Sequence, residues 1–103
     1  MEATPPLPDE ARPVLTAYEG MEASKTAHFA YLAEVDARVQ GGGQRTLADE
    51  ARLHTLLAEH DRAVESFKGA ILDVLRSAPE AHAAFLRYIT TRNAALGEDA
   101  DTH

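Results

Sequence analysis

The stretch "VQGGGQRTLADEARL", residues 39–53, decides how the chain folds. Gly41, Gly42 and Gly43 cannot continue a helix cheaply, because glycine loses the most backbone freedom on ordering, so they mark a connection. Just beyond them, "TLAD" has the form of a helix start, with Thr46 as N-cap and Asp49 three residues on to return the hydrogen bond. The glycines carry no following phosphate-binding lysine or nucleotide motif, so they read as a hairpin link and not as a phosphate cradle.

Upstream of the link, Val14, Tyr18, Met21, Lys25, His28, Leu32, Val35 and Val39 recur at steps of four and three, one face of a helix. Downstream, Leu53, Leu57, His60, Val64, Phe67, Ile71 and Val74 do the same. An antiparallel hairpin makes facing residue numbers add to a constant. The value 85 pairs Leu32 with Leu53, His28 with Leu57, Lys25 with His60, Met21 with Val64, Tyr18 with Phe67 and Val14 with Ile71.

A third helix is predicted from "SAPE", with Ser77 as N-cap and Glu80 reaching back, to a stop at Gly97. Period-two alternation is absent and Ala, Leu, Glu and Arg dominate, so the fold class is all-α. The expected organisation is a disordered tail over 1–8, one helical domain over 9–97 with helices near 9–39, 46–76 and 78–96, and an acidic tail over 98–103. Returning along the second helix, the third is long enough to cover only the half of the hairpin near the termini. That leaves Phe29, Leu32, Val35, Leu53, Leu56 and Leu57 as the predicted interface, covered by a second copy in a four-helix bundle or by a partner's helix.

The chain has 103 residues, 45% of them hydrophobic, which suits one domain without further modules. With no cysteine there is no disulfide, thiolate metal site or thiol nucleophile. No apolar run nears the roughly 20 residues that cross a bilayer, and "MEATPPLPDEARP" lacks the basic and apolar regions of a signal peptide, so a cytoplasmic protein without a membrane role is expected. Most of the net charge of −7 resides in the ends, and residues 11–97 hold 11 acids against 10 bases. The nearly neutral body lacks the basic stripe that nucleic-acid binding needs.

The expected seam has a polar layer. Lys25 faces His60, His28 occupies the next level, and Glu22 and Glu59 flank it. Such a layer can specify helix register and partner number at a cost in stability. Alternatively, His28, His60 and Glu22, perhaps with Glu59, could hold a metal or ligand inside a bundle. Against the metal, neither helix shows the Glu-x-x-His spacing of di-metal bundles, and a lysine beside the site repels a cation. Phosphotransfer bundles resemble this chain only at class level: none of "HFAYL", "HTLLA", "HDRAV" and "HAAFL" has the Lys and Gly that follow a phosphorylated histidine. Glu22 with Lys25, Glu34 with Arg38, Glu59 with Arg62 and Glu65 with Lys68 have ion-pair spacing and read as solvated faces. The expectation is therefore a small non-enzymatic helical interaction protein without a cofactor, an adaptor, chaperone or assembly factor; the alternative is a metal- or ligand-binding bundle.

Overall fold

A computed structural model describes residues 7–101, with side chains through residue 95. A 3-10 turn, Asp9–Ala11, leads into α1 (Arg12–Gln40), followed by α2 (Leu47–Ser77) and α3 (Pro79–Asp101), with no strand among the described residues. The fold is all-α with three helices. Of the tail expected over 1–8, residues 1–6 lie outside the described residues. Of the acidic end over 98–103, only the backbone to Asp101 is described, and it continues helical past the expected stop at Gly97. The chain divides into two compact units. One is Ala17–Lys68, the hairpin unit; the other joins Met1–Thr16 with Gly69–His103, the termini unit.

The triple glycine ends α1 in a Schellman motif. Gly42 takes φ 103°, where a side chain is strained. Its N–H donates to Val39 O (3.1 Å), and the Gly43 N–H donates to Arg38 O (2.9 Å). Gly43 is required for a second reason: a Cβ there would lie 2.9 Å from Arg38 Cγ. α2 then opens in a reciprocal cap. The Asp49 N–H donates to Thr46 Oγ1 (3.0 Å), and the Thr46 N–H donates to Asp49 Oδ2 (2.8 Å).

The start of α3 departs from expectation. Ser77 is the last residue of α2, and its hydroxyl donates to Asp73 O (2.8 Å), so it does not cap α3. The reversal is made by Ala78 alone: its N–H closes α2 on Val74 O (2.8 Å), while its carbonyl accepts from the His82 N–H (3.0 Å). Pro79 explains the tightness, because it disfavours helical backbone at the residue before it and fits the first helical position after it.

The termini unit has a compact core. Ala11, Val14, Val74, Ala81, Ala84 and Phe85 are buried, and the 3-10 turn packs on α3. Phe85 is the largest fully buried side chain among the described residues, and Ala81 and Ala84 of the same helix are buried with it. In the hairpin unit the buried apolar residues are Val35, Leu53 and Leu56. The rings of Tyr18 and Phe67 meet with centroids 5.8 Å apart, at the level the sum of 85 assigns them.

Candidate functional site

Along α1 in the hairpin unit, Ser24, Tyr31 and Arg38 recur every seven residues, and each bonds across to α2. Ser24 Oγ lies 2.8 Å from His60 Nδ1. Tyr31 donates to Asp49 Oδ1 (2.9 Å), and Arg38 donates to Asp49 Oδ2 (2.6 Å) and Oδ1 (3.0 Å). One border of the hairpin is therefore stitched by side-chain hydrogen bonds.

Asp49 is the centre of this border. It is buried, 4% exposed, and accepts two bonds on each oxygen: Tyr31 and Arg38 on Oδ1, Arg38 and the Thr46 N–H on Oδ2. The Arg38 guanidinium first, then the Thr46 N–H, holds its carboxyl well below the usual carboxylate range. The same bond raises the Arg38 pKa, and the hydrogen bond to Asp49 raises that of Tyr31. A carboxylate has about four lone-pair positions. With all of them occupied, Asp49 has no capacity left to ligate a metal or act as a general base, and its chemistry is structural. No cue in the spacing marks this cluster beyond the Thr46–Asp49 cap. The four-residue step from Glu34 suggests an ion pair for Arg38, whereas the Arg38 stem passes under Gly43 and its guanidinium binds Asp49.

Ser24 and His60 have the composition of a nucleophile and its base, but Met21 O competes for the serine's one proton. The Ser24 hydroxyl donates its one proton to Met21 O (2.8 Å). With that bond made, Ser24 Oγ accepts from the Nδ1–H tautomer of His60, an arrangement in which the imidazole does not activate the serine.

The other expected polar residues are placed differently. Ser24 takes the position opposite His60, and Lys25 stands exposed outside the seam, 3.6 Å from Glu22 Oε1. The physical reason is desolvation: an unpaired buried ammonium costs several kcal/mol, whereas a serine hydroxyl satisfies its own helix and the imidazole together. His28 is half-buried with its ring 5.7 Å from that of Phe29, and Glu59 is exposed. Among the described residues, no group of three or more His, Asp or Glu is arranged to hold a metal ion. An open depression of about 610 Å³ in the termini unit is lined by Pro8, Glu10, Ser77, Pro79, Glu80 and Arg87, among others.

The expected interface residues fall into two sets. Val35, Leu53 and Leu56 are buried inside the hairpin unit, and Leu32 is half-buried. Phe29 and Leu57 stand 57% and 46% exposed. These two share one border. His28, four after Ser24 and seven before Val35, belongs to the inward row of α1, and buried Leu56 belongs to that of α2. Phe29 and Leu57 are each one residue further, a rotation of about 100°. In antiparallel right-handed helices that step turns both toward the same flank. Leu32, three after Phe29, joins them, away from the row of Ser24, Tyr31 and Arg38. No helix is long and apolar enough to cross a membrane among the described residues. No family model, curated protein or solved structure matches the chain.

Proposed function

We propose that the protein is a small non-enzymatic helical interaction protein, working through the apolar border of its hairpin unit as an adaptor, chaperone or assembly factor. The observation that carries this reading is the asymmetry of the hairpin. One border is closed by the saturated Asp49 cluster and the Ser24–His60 bond, and the other exposes Phe29 and Leu57 beside Leu32. An exposed phenyl ring and leucine at one level fit the i, i+3, i+4 anchors of an amphipathic helix, and four-helix bundles bury such borders pairwise.

The test is the response to a charge on that border. Phe29→Glu and Leu57→Glu should each abolish association, read as mass by light scattering, while helicity by circular dichroism is kept. For a wild type that is monomeric, the same readout is binding of a synthetic amphipathic helix with the sequence of residues 17–40. Association or peptide binding that survives both changes overturns the reading.

A further inference from the structure

The occupant of the apolar border is written in the charges that bracket it. On α1, Glu22, Lys25, Phe29, Leu32 and Asp36 follow at steps of three and four, which keeps them on one face. Lys25 comes one turn before the apolar pair and Asp36 one turn after it. Lys25 has only a long contact to Glu22, 3.6 Å between half-exposed side chains. Asp36 is exposed and forms no ion pair among the described residues. From this arrangement we infer that the border is filled by a second copy of this chain, with α1 packed antiparallel on its counterpart about a two-fold axis between Phe29 and Leu32. This inference rests on the interaction reading above and names its partner.

The geometry follows from one number. In an antiparallel two-fold pair, facing positions on α1 add to a constant, and centring the axis between Phe29 and Leu32 sets that constant at 61. Phe29 then meets Leu32 of the other copy twice, and Lys25 meets Asp36 twice. The contact is self-complementary, as an isologous interface must be. A parallel pairing would instead set Lys25 against Lys25 and Asp36 against Asp36, an arrangement that like charges penalise. The charge pattern thus selects both the partner and its direction.

The size of the contact sets its strength. Positions 22–39 of α1 extend about 27 Å at 1.5 Å per residue, and two helices side by side make a face about 20 Å wide. That is on the order of 500 Å² per copy, near the lower limit of roughly 1,000 Å² in total for a specific interface. The dimer is therefore reversible, and its population depends on concentration.

Sedimentation velocity over a concentration series tests the pairing with four proteins: wild type, Lys25→Asp, Asp36→Lys and the double exchange. Wild type should show a monomer–dimer equilibrium. Each single change should weaken it by about tenfold or more, because every dimer contains the altered pair twice. The double exchange restores opposite charges and should recover most of the affinity. An equimolar mixture of the two single variants should also dimerise, since one then carries two acids where the other carries two lysines. A dimer broken by Phe29→Glu but indifferent to both charge reversals would overturn this pairing and leave the interaction surface standing. A wild type monomeric at every concentration would overturn self-pairing, and binding of a model amphipathic helix of leucine and lysine, lost in Phe29→Glu and Leu57→Glu, then decides the broader reading by itself.

Discussion

In the termini unit, Phe85 and Val14 are almost wholly shielded from water, and Ala11, Ala81 and Ala84 are buried with them. In the hairpin unit, fewer apolar side chains are buried, and the helices are joined by hydrogen bonds that link Ser24 with His60 and both Tyr31 and Arg38 with Asp49. The difference comes from helix number. With three helical segments, each apolar row has two neighbours to pack against, whereas two helices offer each other a single row. The hairpin therefore takes its order from directional bonds at one border and leaves apolar surface at the other. A region held this way is specific in register without being closed to partners.

The largest effect should appear where burial dominates. Phe85→Ala removes the biggest fully buried side chain among the described residues and should cost about 3–5 kcal/mol, a large share of the roughly 5–15 kcal/mol available to a small domain. Val35→Ala, equally buried in the hairpin unit, should cost about 2 kcal/mol. Thermal melts of the two variants measure the contrast, and equal losses would remove it.

Next comes the polar border, which titration can isolate. The folded-state pKa of Asp49 is depressed, so its contribution is present above the unfolded carboxylate value of about 3.9 and is lost as pH falls below it. Asp49→Asn should melt several degrees below wild type at pH 7, and the gap should narrow steadily as pH falls from about 5 to 2. A pH-independent gap would mean that the charge of Asp49 contributes nothing and that the asparagine disturbs only the packing of the site. Tyr31 runs in the opposite direction. Its pKa is raised in the folded state, so its contribution is present below about pH 10 and lost as pH rises further.

Much of this architecture is legible in the amino-acid sequence. The helix-breaking glycines, the Thr46–Asp49 cap and the level of Tyr18 with Phe67 follow from spacing and local chemistry. The departure at the polar level has a clear cause. A stripe traced through large residues runs through Lys25, because a serine is invisible to hydrophobic periodicity, yet Ser24 is the residue that meets His60. Leu56 and Leu57 are adjacent leucines, so periodicity alone does not decide which turns inward. Arg38 reaching Asp49 depends on the absence of a Cβ at Gly43, a close approach no spacing rule encodes. Ser77 and Glu80 satisfy the capping pattern, but the Pro79 ring moves the helix start beyond Ser77.

The smallest effect is a gain, and it probes backbone entropy in each unit separately. A Cβ at Gly20 in the hairpin unit or at Gly69 in the termini unit meets nothing within 4 Å. Alanine at either position should therefore stabilise by about 0.5–1 kcal/mol. Gly42→Ala should do the reverse, since its φ of 103° strains any side chain. Chemical denaturation midpoints resolve all three changes.

The most direct measurement of the division between a closed unit and an associating one is amide hydrogen exchange at low and high protein concentration. Association through the apolar border predicts that protection rises with concentration around Phe29, Leu32 and Leu57, while amides around Val74, Ala84 and Phe85 keep their rates. Protection that rises instead near the exposed Leu72, Leu75 and Leu86 of the termini unit, with the hairpin unchanged, would contradict the account.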